Sequence, residues 1–313
     1  MSVDLNGVVA NLESNMRQVV LGKDEAIRMC VVALLAGEHV LVEDVPGVGK
    51  TLLGKALARS VDGVFSRIQF TSDLLPSDIV GSSVFNASGG DFVFNRGPIF
   101  SNVILADEIN RTPPRTQSAL LEAMSEVCIS VDGKSYELPH PFIVIATQNP
   151  FDFEGTYPLP ESQLDRFLLR ISMGYPDRQR ERDVLLTHRE GEPVDNLEAV
   201  ASGEQITELQ NLVQQVAVKD ELQEYILDIT DTTRNSDELH VGISTRGALS
   251  LYRAAQALAF VEGRSYIVPD DVKQLVIPVF AHRVIAKRYL HGGQREAIET
   301  MIQRLVDEVP VPN

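Results

Sequence analysis

Apolar and polar positions change their period along this chain, and those changes divide it before any motif is considered. Val8, Val9, Leu12, Met16, Val19 and Val20 recur at helical spacing, and a second helix is expected from about Lys23 through the apolar Met29–Leu35 stretch. Short apolar runs then appear at His39–Glu43, Phe65–Phe70, Asn102–Asp107, Pro141–Thr147 and Phe167–Ile171. Runs that are short and apolar throughout read as strands buried on both faces. Helical segments separate most of them, so the pattern predicts an α/β domain around a five-stranded, mainly parallel sheet.

Two stretches break that alternation. Val80–Phe94 alternates around Ser88-Gly89-Gly90, and Cys128–Leu138 alternates through Ile129 and Val131, turns at Asp132-Gly133 and resumes with Tyr136 and Leu138. Both residues of an Asp-Gly hairpin turn need positive φ, which this pair supplies. Two hairpins projecting from the main sheet are expected. Beyond about residue 190 the strand patterns stop, after a linker-like His188–Pro193, and amphipathic helices are expected near Ile206–Val216, Asp220–Thr233, Ser244–Val261, Pro269–Ala286 and Gln294–Val309. Pro278 should kink or break the fourth, and Ala297, Ile298, Met301, Ile302, Leu305 and Val306 form one stripe on the fifth. The expected division is an α/β core over 1–190 and a smaller all-helical domain over 191–313.

Composition narrows the function. The 313 residues are 44% hydrophobic, and the formal net charge of −16 disfavours a general binder of nucleic-acid backbone. Two cysteines, Cys30 and Cys128, stand far apart, so no disulfide framework is expected and a reducing compartment fits. The Met1–Asn6 start lacks the basic and apolar regions of a signal peptide, and no apolar run is long enough to span a membrane. A cytoplasmic location follows as the expectation. The six histidines show no HExxH or other ligand spacing, and no G-x-S-x-G elbow is present.

Chemistry concentrates in Val40–Thr51. An apolar strand feeds the turn Asp44-Val-Pro-Gly47-Val48-Gly49, then Lys50 and Thr51 open a helix carrying Leu52, Leu53, Ala56 and Leu57. This arrangement aims backbone N–H groups and a helix N-terminus at a phosphate. Lys50 would reach the β- and γ-phosphates and the Thr51 hydroxyl a Mg²⁺ ion. Asp44 stands where the strict G-x-x-x-x-G-K-[ST] pattern has its first glycine. Further on, the apolar Val103–Ala106 ends in adjacent carboxylates, Asp107 and Glu108. Alternation in a strand would turn them to different tasks, Asp107 to the metal shell and Glu108 to the attacking water.

From Leu105-Ala-Asp-Glu-Ile-Asn-Arg-Thr-Pro-Pro-Arg-Thr-Gln to Met124, and again over Val42–Thr51, the sequence resembles the MoxR family of AAA+ ATPases, a likeness running from about Gly22 to Arg283. The resemblance makes these segments the Walker B region and Walker A loop, with Asp44 a family feature. It implies an adenine-contacting strip at Val19–Gly22, so that Val20, Gly22, Gly47, Val48, Gly49, Lys50, Thr51 and Leu52 would bind ATP, and Thr51 and Asp107 the metal. It makes Asn149, after Ile143–Gln148, the sensor 1 residue, although Asn149-Pro150 alone is equally a turn start. Arg166, in Glu154–Phe167, becomes the arginine finger acting on a neighbouring subunit; an Asp165–Arg166 surface pair is the alternative. Arg246, in Ser244-Thr-Arg, becomes sensor 2 of a helical lid, or else an ordinary exposed arginine in a first helical turn.

The same resemblance implies a ring, a hexamer, that hydrolyses ATP to remodel or mature protein clients, with a separate protein carrying a von Willebrand factor A domain as partner. Other members of the clade are nucleic-acid motors and metal-chelatase ATPase subunits. The acidic charge speaks against the first, and only partner identification separates the second.

Overall fold

The computed structural model describes residues 5–87, 90–149, 155–187, 191–287 and 294–312. Helices α1 (Leu5–Arg17) and α2 (Asp24–Ala36) precede β1 (Val40–Glu43) and α3 (Lys50–Ser60). Strand β2 (Phe65–Gln69) leads through α4 (Pro76–Val80) into the hairpin β3 (Gly81–Asn86) and β4 (Asp91–Arg96). Then come β5 (Val103–Asp107), α5 (Pro114–Glu126), a second hairpin of β6 (Cys128–Val131) and β7 (Lys134–Glu137), and β8 (Ile143–Gln148). The short α6 (Glu161–Leu164), β9 (Leu169–Ile171) and α7 (Arg178–Thr187) close the first part. The second part holds α8 (Gly203–Val213), α9 (Asp220–Arg234), β10 (Leu239–Val241), α10 (Thr245–Val261), α11 (Pro269–Phe280), β11 (Ile285–Ala286) and α12 (Gln294–Asp307).

All five apolar runs hold a strand, and the five strands pair in the order β2-β5-β8-β1-β9, every pair parallel. Alternation sorts their side chains into two layers. Val42 and Leu105 join Leu12, Ile27 and Leu53 on one face, while Leu41 and Ile104 join Leu120, Val144 and Phe167 on the other. The first layer continues without a break into Ile229, Leu251, Leu275 and Ile302 of the helical part. The chain leaves β1 for β2 at the far edge of the sheet, while β9 adds on the other side of β1. That reversal opens a crevice at the carboxyl end of β1, the usual ligand position in such sheets.

The helical part departs in three respects from what its sequence predicts. It contains a short antiparallel pair, β10 with β11, that no local pattern announced. Helix α11 stops at Phe280, two residues past Pro278, so the single helix expected to Ala286 is a helix, a turn and a strand. The residues after 191 also still lean on the α/β part: Val200 and Ala201 donate to the Ser60 carbonyl, and Gln210 Nε2 donates to Leu34 O at 2.7 Å.

Both hairpins form. Asp132 and Gly133 have φ of 52° and 75°, as their turn requires, whereas Ser88 and Gly89 lie outside the described residues. The hairpins lock together at their roots: Phe94 lies on Tyr136 with centroids 4.4 Å apart, and Ser83 Oγ donates to Asp132 Oδ2 at 2.5 Å. Farther out the first hairpin exposes apolar side chains, Phe92 at 72% and Phe85 at 55%.

Candidate active site

Strand β1 ends in a loop whose conformation only glycine takes without strain: Gly47 and Gly49 have φ of 85° and 99°. Gly49 is also the N-cap of α3, and no side chain caps that end. The first-turn N–H groups are therefore free to face an anion. Lys50 Nζ donates to the Asp44 carbonyl at 2.9 Å. Burial lowers the Lys50 pKa, while Asp107, Asp44 and Glu108 pull it back up.

Asp44 has a structural role that the motif alone conceals. Its Oδ2 accepts from Met173 N and Gly174 N, each at 2.6 Å, and from Ser172 Oγ at 2.9 Å, while Oδ1 accepts from Val45 N. Lys23, itself buried, donates from Nζ to the carbonyls of Met173 and Gly174, both at 2.7 Å. The segment after β9 is thus tied to the loop by a carboxylate and an ammonium. Burial works to raise the Asp44 pKa, but the bonds from Gly174, Ser172, Met173 and Val45 together hold it below the usual carboxylate value.

The second set of groups sits at the end of β5. Asp107 is the last strand residue, and Glu108 adopts a left-handed conformation with φ 58°. The two carboxylates therefore diverge because the backbone kinks between them, and not by strand alternation. Thr147, fully buried in β8, serves both: its hydroxyl donates to Asp107 Oδ1 at 2.6 Å and accepts from Glu108 N at 2.9 Å. Arg67 of β2 donates through Nε and Nη2 to Asp107 Oδ2, at 3.1 and 2.6 Å. Gln69 Nε2 donates to Glu108 Oε2 at 3.1 Å, and Arg111 lies 3.3 Å from that oxygen.

One cleft of about 790 Å³ brings these groups together, a volume suited to a cofactor-sized ligand. Val20, Gly47, Val48, Gly49, Lys50, Thr51, Leu52, Asp107 and Glu108 all line it. A hydroxyl and a carboxylate facing a phosphate cradle are oxygen donors suited to Mg²⁺, which keeps waters and phosphate oxygens as its remaining ligands. Gly22 lies one turn away in a left-handed conformation, φ 69°, before α2 begins; a Cβ there would meet Arg180 Cγ at 2.9 Å. Asn149 directly follows β8, half-buried, and Pro150 lies outside the described residues.

The two candidate arginines lie elsewhere. Arg166 Nη1 donates to Leu121 O and Ser125 Oγ on α5 and lines a separate cleft of about 300 Å³ with Glu122 and Gln163. Arg246 is exposed in the first turn of α10, whose N-cap Ser244 accepts from Gly247 N and donates to Asp165 Oδ2. Asp165 does not pair with Arg166. Its partner is Arg283, whose buried guanidinium reaches Asp165 Oδ1 at 2.7 Å, Phe167 O at 2.6 Å and Ser250 Oγ at 3.2 Å. Arg166 and Arg246 therefore flank one junction between the α/β part and the helical part.

Sequence reasoning passed over Arg67, Gln69, Thr147, Lys23 and Arg283. Only the first two left a signal: alternation in Phe65–Gln69 sets them on one face with buried Ile68 on the other.

A phosphate cradle, paired carboxylates at the end of the neighbouring strand and a helical part after the sheet define an AAA-type ATPase fold. Comparison agrees: residues 39–169 match the ATPase family associated with various cellular activities (AAA), and residues 231–305 match the AAA lid domain. Chaperone MoxR1 of Mycobacterium tuberculosis is 38% identical, over 95% of this chain and 80% of that protein. The uncharacterized Bacillus subtilis protein YeaC is 46% identical, over 99% of this chain and 96% of that protein. The crystal structure of a candidate ATPase from Cytophaga hutchinsonii superposes with a TM-score of 0.89 at 34% identity, covering 99% of this chain and 96% of that one. The chain belongs to the MoxR family of AAA+ ATPases. Among the described residues no helix is long and apolar enough to cross a membrane.

Proposed function

We propose that this chain hydrolyses ATP with Mg²⁺ in a cytoplasmic ring, a hexamer, and uses the cycle to remodel or mature protein clients. A separate protein with a von Willebrand factor A domain is the partner in this reading. The core would span 1–190 and the lid 191–313, with α8 the part of the lid that stays against α2.

The observation that carries the reading is a division of labour. Lys50, Thr51, Asp107 and Glu108 share one cleft, while Arg166 is held outside it on α5. Bound Mg²⁺ would neutralise phosphate charge. The first-turn N–H groups of α3 and Lys50 would hold the phosphates, and Thr51 and Asp107 would hold the metal. Glu108, kept by Gln69 and the Thr147 hydroxyl, would orient the attacking water and take its proton. Val20 and Gly22 would flank the base, and Asn149 would read the terminal phosphate from the end of β8. Arg166 and Arg246 would act on a neighbour's nucleotide, because both flank the lid junction and neither lines its own cleft. The shared root of the hairpins lets α5, which follows the Glu108 turn, move both at once against a client.

The test is ATP turnover per subunit across a wide range of protein concentration, with Mg²⁺, for wild type and Arg166→Ala. Specific activity that rises with concentration, and that the substitution abolishes, is the expected result. Flat turnover indifferent to Arg166→Ala would make the chain a monomeric switch instead.

A further inference from the structure

The two oxygens of Asp107 are occupied differently. Oδ1 is committed to the buried Thr147 hydroxyl, 2.6 Å away. Oδ2 takes both of its bonds from one guanidinium, Arg67 Nε at 3.1 Å and Nη2 at 2.6 Å. That oxygen faces the cleft lined by Lys50 and Thr51, and Arg67 lines the same cleft. Resting on the reading above, we propose that Arg67 governs metal loading: its guanidinium and the Mg²⁺ ion compete for Asp107 Oδ2.

Three features support competition over a fixed structural pair. The Arg67 side chain is 49% exposed while that of Asp107 is 12% exposed, so the cationic end can leave for water while the anionic end stays. An ion pair with one exposed end is weak against a divalent ion that brings phosphate oxygens with it. Arg67 has no other carboxylate to hold it at this position among the described residues. Its remaining contact is a bond from Nη2 to Gln69 Oε1 at 2.8 Å.

That contact extends the consequence. Gln69 bridges Arg67 to Glu108 through its amide nitrogen, so all three belong to one chain of bonds across β2. When the metal takes Oδ2, Arg67 lets go of Asp107 and Gln69 loses a fixed partner. Glu108 is then free to turn toward the water. Metal arrival and the aim of the general base become one event, and Arg67 is a positioning residue that acts through both carboxylates.

Binding tests this without turnover. Mn²⁺, visible by electron paramagnetic resonance, would be titrated into the full chain with ADP, and ADP affinity measured separately in a chelator. Removing the competing cation by Arg67→Ala should lower the Mn²⁺ half-saturation roughly fivefold, with Arg67→Lys between the two. The same substitution should weaken metal-free ADP binding several-fold, because Asp107 then faces phosphate uncompensated. An Mn²⁺ half-saturation unchanged or raised in Arg67→Ala overturns the proposal. If that variant fails to fold, Arg67→Gln, uncharged and of similar reach, carries the same criterion. A wild-type chain that binds no ADP with Mn²⁺ overturns the nucleotide reading and this proposal together, whereas normal binding indifferent to Arg67 overturns this proposal alone.

Discussion

The nucleotide cleft and the face carrying Arg166 and Arg246 draw on the same sheet and treat charge in opposite ways. In the cleft charge is answered by charge or by directed N–H groups: Asp107 by Arg67, Glu108 by Arg111, and Asp44 by Met173 and Gly174. On the other face Arg166 rests on a carbonyl and a hydroxyl, and among the described residues neither Arg166 nor Arg246 forms an ion pair. Neutral acceptors fix a guanidinium in direction without cancelling its charge, which stays available to an anion brought from outside. The cleft is equipped to bind, and the arginine face is equipped to complete a site it does not contain.

Substitutions can break that contrast, and the largest effect belongs to the arginine face. Arg166→Ala should lower steady-state turnover by about 10³-fold or more while leaving ADP affinity of the dilute protein unchanged, as a fluorescent ADP titration would report. Loss of affinity would mean that Arg166 serves its own cleft. Glu108→Gln should cost at least about 100-fold in turnover with nucleotide still bound, because it removes the proton acceptor and keeps the shape.

Asp44 sharpens the cleft side. Replacing it by the glycine of the generic motif should destabilise the fold by about 2–4 kcal/mol in denaturant unfolding, since Met173 N and Gly174 N would be buried without an acceptor. An unchanged unfolding midpoint would count against this staple. The sign in pH follows from its lowered pKa: the stabilisation is complete above the ordinary carboxylate value of 3.8 and is lost as pH falls through the lower folded value.

A smaller effect tests the ground between the two regions. His39 is fully buried, with Nε2 donating to Met124 O and Nδ1 accepting from Val144 N, so it ties β8 to the end of α5 that holds Arg166. Burial depresses its pKa, and the bond to Met124 opposes that only in part. The unfolded chain then binds a proton below pH 6.5 that the native imidazole refuses, so stability is full above that value and falls as pH drops below it. The thermal midpoint should decline between about pH 6.5 and 5.5, and less steeply in His39→Gln. An equal slope in both proteins would remove His39 from the account. Smallest of all, Phe92→Ser on the exposed hairpin should change stability by less than about 0.5 kcal/mol; a larger loss would mean that the tip packs within the chain.

Legibility followed the range over which each feature is set. The five strands, both hairpins and the lid helices were readable because periodicity and turn chemistry are local; Asp132-Gly133 fixes its own hairpin. The P-loop, Asp107 and Glu108 were readable for the same reason, and all of these residues meet in one cleft. What stayed hidden depends on partners distant along the chain. Asp44 looks like a departure from a motif until Ser172 and Gly174 fold against it, and Thr147 is one more apolar-run residue until β8 lies beside β5. Arg283 and the β10–β11 pair likewise have meaning only across the lid junction.

The claim that one subunit's cleft is completed by another's arginine has a direct test. Arg166→Ala and Glu108→Gln would each be nearly inactive alone, the first lacking the arginine and the second the base. Mixed in equal amounts under ring-forming conditions, they should recover a substantial fraction of wild-type ATP turnover, because an intact Glu108 then meets an intact Arg166 at some interfaces. If the mixture stays as inactive as its two parts, each arginine serves only its own subunit and the account is wrong.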